Sequence, residues 1–219
     1  MNLSKYSTLI FDCDGVLLDS NFKKSEAYRM AALDYGASSS EAASLVDYHI
    51  TNTGISRYVK FEYFIKHILK EEYSRNNFTK LVELLNKHVM KILKDCDVAS
   101  GLIELKAQAS KQNWMVMSGG DQDEVRQVLS EKKIDHLFNY GIYGSPDSKD
   151  EIISQHLAEN KQFFPAIFFG DSKYDIEIAK KYKLDFIFIY GWTDYSDWKN
   201  KVNEENIKSV KSIGDLVIK

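Results

Sequence analysis

From Ser100 to the C-terminus, short apolar runs that end on glycine or a small polar residue alternate with runs of helical periodicity, and no other feature limits the fold as strongly. The pattern predicts strands over 114–117, 138–143, within 163–169 and over 186–190. The helices predicted between and around them cover 102–112, 123–132, 149–159 and 174–182, with a last one at 213–218. Strands separated by helices assemble into a parallel sheet covered on both faces. The almost wholly apolar run 186–190 suits a strand in such a sheet. Near the N-terminus the run Thr-Leu-Ile-Phe, residues 8–11, reads as a further buried strand, and it leads directly into Asp12 and Asp14. Between residues 23 and 94 the strand pattern disappears. Amphipathic helical runs are predicted there over 25–35, 41–49, 58–69 and 79–93. The expected architecture is therefore α/β: a Rossmann-like doubly wound parallel sheet formed by residues 1–16 and 96–219, with an all-helical cap inserted over 17–95.

With 219 residues, 44% of them hydrophobic, the chain can bury a substantial core. A formal charge of −3 provides no footprint for nucleic acid or an anionic membrane. Any anionic ligand must be met by local positive charge or by a metal. Cys13 and Cys96 make neither a disulfide framework nor a metal-ligand spacing, so a reducing cytoplasm is expected. The first apolar run is short and ends in aspartates, unlike a signal peptide, and no run approaches the ~18 apolar residues of a membrane span. A soluble, cytoplasmic chain, monomeric or dimeric, with no nucleic-acid or membrane partner, is expected.

In open α/β sheets ligands bind at the C-terminal ends of the strands. The residues predicted there are Asp12 and Asp14, Ser118 with Gly119, Lys149, and Asp171 with Asp175. Two residues apart in extended chain point to one side at ~6–7 Å, so Asp12 and Asp14 can face a common ligand while Cys13 points away. Taken singly, each feature has a plainer explanation: an Asx-rich turn, a Ser-Gly-Gly turn, a solvated lysine at a helix start. Together they provide what a phosphate beside a hard cation needs. Carboxylate oxygens of Asp12 and Asp171 suit Mg²⁺, and Asp175, four residues on, falls on the same face of the first helical turn. Lys149, the Ser118 hydroxyl and the Gly119 amide suit the phosphate oxygens.

Four motifs in order, Asp12-Cys-Asp14-Gly15, Ser118 after an apolar strand, Lys149 in Gly-Ser-Pro-Asp-Ser-Lys, and Gly170-Asp171-Ser172-Lys-Tyr-Asp175, resemble those of the haloacid dehalogenase superfamily in its helical-cap branch. Phosphoglycolate phosphatase and β-phosphoglucomutase-like members are similar. The resemblance implies that Asp12 attacks phosphorus to form an aspartyl-phosphate and that Asp14 protonates the leaving oxygen and then activates water. It implies Ser118 and Lys149 as further catalytic groups. It also implies a Mg²⁺ site made of Asp12, Asp14 through its backbone carbonyl, Asp171 and Asp175. Because Asp14 is present, phosphoryl transfer is favoured over carbon–halogen cleavage. Selectivity is expected in the cap. Gly54-Ile55-Ser56-Arg57 is similar to a substrate loop in which Arg57 contacts the distal part of the substrate, with Gly119 on the phosphate and Asn21 and Lys24 lining the entrance. Lys23, Lys24 and Lys60 answer by residue type alone to the cap lysine of a phosphonate-cleaving branch. The five histidines read as structural or solvated, and Trp192, Tyr195 and Trp198 as packing of a C-terminal loop. The expected activity is Mg²⁺-dependent hydrolysis of a sugar phosphate or hydroxy-acid phosphate. The alternatives are a sugar phosphomutase and a non-catalytic binding protein; Asn21, Phe22 and Lys23, where the mutase branch carries a histidine, lean toward the phosphatase.

Overall fold

The computed structural model describes residues 2–159 and 162–218. Six parallel strands form one sheet in the order β3-β2-β1-β4-β5-β6 among the described residues. In chain order these are β1 (Thr8–Phe11), β2 (Asn113–Asp121), β3 (Ile142–Ser145), β4 (Ala166–Gly170), β5 (Asp185–Ile189) and β6 (Lys208–Val210). β1 is central, with Phe11 opposite Val116 of β2 on one side and Phe169 of β4 on the other. The strand order reverses between β1 and β4, which opens a crevice beyond their C-terminal ends. Asp12 and Asp171 are the residues that follow those two strands.

Alternation along the buried strands separates two apolar layers. Leu9, Phe11, Trp114, Val116, Ile167 and Phe169 face one side, and Ile10, Met115 and Phe168 the other. The Phe11 ring stacks on Phe169 at 4.9 Å and lies 4.7 Å from Trp114, which fixes the end of β1 from both neighbours.

The first four helices after β1 form the insert: α1 (Asn21–Tyr35), α2 (Ser39–Thr51), α3 (Arg57–Tyr63) and α4 (Arg75–Lys94). Their apolar faces, including Ala27, Leu45, Phe61 and Leu81, join the same core cluster as Leu9 and Phe11, so the insert and one face of the sheet share a core. Gly36 ends α1 with φ +115, donating back to Leu33 O. A capping box from Ser38 and Glu41 starts α2. The helix expected over 58–69 is divided: α3 passes into a π turn at Phe64–Ile68.

The remaining helices are α5 (Leu102–Gln108), α6 (Gln122–Glu131), α7 (Lys149–Glu159), α8 (Lys173–Lys181) and α9 (Trp198–Glu204). Two expectations fail locally. The strand predicted over 138–143 begins only at Ile142, because Gly141 at φ +109 breaks the extended path and Phe138 turns into the core against Phe11. The predicted last helix is a single 3₁₀ turn, Ile213–Leu216. α9 and β6 escaped the sequence reading because α9 buries only Val202 and β6 is three residues long.

Candidate functional site

The chain leaves β1 in a tight turn in which Leu17 and Leu18 both donate to Cys13 O and Gly15 donates to Leu18 O. Gly15 has φ +76, and a Cβ there would lie 2.2 Å from Asp171 Oδ2, so only glycine lets this turn cross the end of β4. The turn holds Asp12 buried. Its Oδ1 accepts from the Cys13 amide at 2.7 Å, and its Oδ2 lies 2.9 Å from Lys149 Nζ.

Lys149, the first residue of α7, is wholly buried and bridges Asp12 to Asp175 Oδ1 at 2.5 Å. Asp175 is the N3 residue of α8. Its Oδ2 accepts from the amides of Asp171 and Ser172 and from the Ser172 hydroxyl, in a capping box that fixes the loop after β4. Both Asp175 oxygens are thus engaged, and the residue acts as a brace. Asp171 differs: Oδ2 accepts from Asn21 Nδ2 at 2.7 Å, whereas Oδ1 is buried without a partner. Asp12, Asp171 and Asp175 each present an oxygen within 4.8 Å of the others, a spacing that can hold a metal ion. An orphaned buried carboxylate oxygen in an all-oxygen cluster is the donor chemistry a hard cation requires.

The charges agree with that geometry. Burial pushes the Asp12 carboxyl up to about 8, with Asp175 and Asp14 adding to the effect and Lys149 opposing it. Burial, then the neighbouring Asp12, likewise drive Asp171 well above the usual carboxylate range. Burial would discharge Lys149, but Asp12 and Asp175 outweigh it and keep the ammonium charged. Three carboxylates crowded around one lysine are short of positive charge.

Asp14 belongs to a second network. Its Oδ1 accepts from Ser20 Oγ at 2.5 Å and its Oδ2 from Lys24 Nζ at 2.8 Å. Burial alone would raise its carboxyl; Lys24 and Ser20 overcome that and hold it below the usual range. Lys24 also lies 3.5 Å from Glu124 on α6, and Glu124 takes both guanidinium arms of Arg57 at 2.7 and 2.8 Å. Arg57, expected at the substrate, is therefore committed to a carboxylate across the interface between insert and sheet, with Asn86 as a second partner. Asn21 and Lys24, expected at an entrance, are buried. Ser118 is fully buried, its Oγ accepting from the Gly120 amide at 2.9 Å.

The two networks face a cavity of about 40 Å³. The sheet end contributes Asp12, Asp14, Gly119 and Asp171 to its wall; the insert contributes Asn21, Lys24, His49, Arg57 and Lys60. The turn between α2 and α3 closes down on it. A Cβ on Gly119 would meet Gly54 O at 2.4 Å, Thr53 Oγ1 donates to Asp194 Oδ1 at 2.9 Å, and Tyr58 OH to Asp121 Oδ2 at 2.8 Å. Glu124 and His49 were missed by the sequence reading. Nothing local marks either one: Glu124 acquires Arg57 and Lys24 only when the insert packs on the sheet, and His49 acquires Lys60 and Tyr28 only when the helices of the insert pack together.

No helix among the described residues is long and apolar enough to cross a membrane. No curated protein matches the sequence. Among solved structures, a haloacid dehalogenase-like hydrolase, SP0104 from Streptococcus pneumoniae, superposes with a TM-score of 0.68 at 20% identity, covering 98% of each chain. A predicted phosphoglycolate phosphatase from Haemophilus somnus 129pt gives 0.73 at 18% identity, over 98% of this chain and 97% of the other. β-Phosphoglucomutase from Clostridium difficile gives 0.68 at 19% identity, over 96% and 92%. At these identities the likeness is one of fold. The model of the family described as haloacid dehalogenase-like hydrolase matches residues 9–189, from β1 through β5 and across the whole constellation, and the chain belongs to that family.

Proposed function

We propose that the protein is a Mg²⁺-dependent phosphomonoester hydrolase in which Asp12 accepts the phosphoryl group. The observation that carries this reading is the pairing of Asp12 with the buried Lys149 beside the unpartnered Oδ1 of Asp171: a carboxyl nucleophile, a fixed cation bonded to it and a free ligand oxygen next to both. Asp12, Asp171 and the main-chain carbonyl of Asp14 would hold Mg²⁺, with Asp175 bracing the loop. Bound there, the ion would withdraw charge from the phosphoryl oxygens.

The chain's own groups account for the rest. Lys149 opposes the effect of burial on Asp12, favouring its ionised form, and presents positive charge to the incoming phosphate. Gly119 lets its backbone come close to the phosphate oxygens. Asp12 attacks phosphorus, and the phosphorus–oxygen bond to the leaving group breaks as Asp14 supplies that oxygen with a proton. Asp14 then takes a proton from the water that attacks the aspartyl-phosphate. Lys24 and Ser20 hold Asp14 as an anion before substrate arrives, and a phosphate dianion beside it shifts it back toward protonation.

Phosphate release from p-nitrophenyl phosphate with Mg²⁺ or with excess chelator, in the native protein and in Asp12→Asn, tests the reading. The expected result is metal-dependent release that falls at least ~10³-fold in the variant. Equal rates in the two proteins would remove Asp12 from the chemistry.

A further inference from the structure

Three cations reach the cavity from the insert, and they differ in how their charge is met. Lys24 faces Asp14 and Glu124, and Arg57 forks onto Glu124. Lys60 is 2% exposed and makes no ion pair within 4.0 Å among the described residues. Its hydrogen-bond partner there is His49 Nδ1 at 2.9 Å, a neutral acceptor whose own protonation is suppressed by burial and by Lys60. The His49 ring stacks on Tyr28 at 4.1 Å, and the Tyr28 ring centroid lies 5.6 Å from Lys60 Nζ.

A buried ammonium with no counter-ion either gives up its proton or waits for an anion. Arg57, the other basic group of α3, has no charge to spare for a ligand, because Glu124 already neutralises it. Resting on the hydrolase reading above, we propose that Lys60 and His49 form a subsite for a carboxylate on the leaving group, so that the substrate is the phosphate ester of a short hydroxy acid.

The cavity is small, about 40 Å³, and one wall holds Asp12, Asp171, His49 and Lys60 together, so a carboxylate at Lys60 and a phosphorus at Asp12 belong to one short molecule. The groups facing Lys60 set its response to pH: His49 from α2, Tyr28 and Lys24 from α1, Arg57 from α3, Asp14 from the turn after β1, and Asp194 from the loop after β5. Burial lowers the Lys60 amine to about 7; Asp194 and Asp14 oppose this, while Lys24 and Arg57 add to it. Asp194 acts from beyond ion-pair distance, with Oδ1 held by Thr53 and Oδ2 unpartnered. A bound carboxylate adds the missing negative charge, so Lys60 takes up a proton on binding above neutral pH.

The test compares the phosphate esters of glycolate and of glycolamide, which have the same size and differ in the charge of one end. Their affinities are measured by calorimetry with Mg²⁺ on Asp12→Asn protein, which holds substrate without turning it over, with Lys60 present and in the Lys60→Met double variant. With Lys60 the glycolate ester binds at least ~10-fold more tightly than the amide, as expected for a charge-assisted buried contact. With methionine the two affinities lie within ~2-fold of each other. At pH 8, titration in buffers of different ionisation enthalpy shows proton uptake with the acid ester that disappears with Lys60. Equal affinities for acid and amide with Lys60 in place would overturn the subsite, and so would a preference that survives its replacement. Lys60→Gln gives the same comparison if the methionine variant lacks a cooperative thermal transition. Failure of the native enzyme to release phosphate from either ester would remove the hydrolase reading alone, because the affinity ratio is measured without turnover.

Discussion

Asp12 sits where three carboxylates share one lysine, and its carboxyl is pushed up to about 8, chiefly by burial. Raised above its unfolded value near ~4, this group contributes stability that is fully present below pH ~4 and is lost as pH rises through about 8. A divalent cation reverses the trend by favouring the ionised form. Chemical denaturation at pH 5 and pH 8, with Mg²⁺ or with chelator, should therefore show stabilisation by Mg²⁺ that is larger at pH 8, together with proton release on metal binding at pH 7. Mg²⁺ stabilisation that is the same at both pH values would contradict the assigned cluster. At this scale the sequence was most informative about Asp12, Asp14, Lys149, Asp171 and Asp175, because each lies just beyond an apolar run where a parallel sheet exposes its ligand end. It was least informative about Lys60, His49 and Glu124. Lys60 lies within α3, His49 in the last turn of α2 and Glu124 in the first turn of α6, none of them beside a strand end, and their partners come from other elements, 11 residues away for His49 and Lys60 and 67 for Arg57 and Glu124.

The turn joining α2 to α3 and the end of β2 meet backbone to backbone. Gly119 has room for a hydrogen only, since an added Cβ would lie 2.4 Å from Gly54 O. Gly119→Ala should lift that turn and displace Arg57 and Lys60, which follow it in α3. A misplacement of this order costs ~10²-fold in kcat/KM. Steady-state kinetics would show the loss, and limited proteolysis should show faster cleavage within residues 52–56; unchanged values of both would mean that the contact does not hold the turn down. Most elements were legible from periodicity, because β1, β4 and β5 are buried apolar runs and α4 carries a clear stripe of Leu81, Leu85, Val89 and Leu93. β6 was not, since three residues paired to β5 leave no period to read. The π turn at Phe64–Ile68 was hidden for the opposite reason: its residues keep helical spacing while the backbone hydrogen bonds change.

Across the whole molecule, one apolar cluster runs from the sheet into the insert, and a chain of buried charges, Asp14, Lys24, Glu124 and Arg57, crosses the same boundary. The alternating half of the sequence showed the parallel sheet, and the strand ends showed where ligand chemistry would gather. A cap over that point was expected from the resemblance, but the contacts that seat it, Arg57 on Glu124 and the 53–55 turn against Gly119, were not legible, because they depend on how two surfaces fit. On the proposed mechanism, the insert seated over the cavity would keep bulk water from the bond being made and from an intermediate on Asp12. The most direct test of that chemistry is to quench the enzyme in acid during turnover of a phosphate ester with Mg²⁺, reduce it with borohydride and map the peptides by mass. An aspartyl-phosphate at position 12 becomes homoserine there, and the account predicts that product at Asp12, dependent on substrate and metal. Homoserine or phosphate at another residue, or none at position 12 while phosphate is released at the full rate, would contradict it.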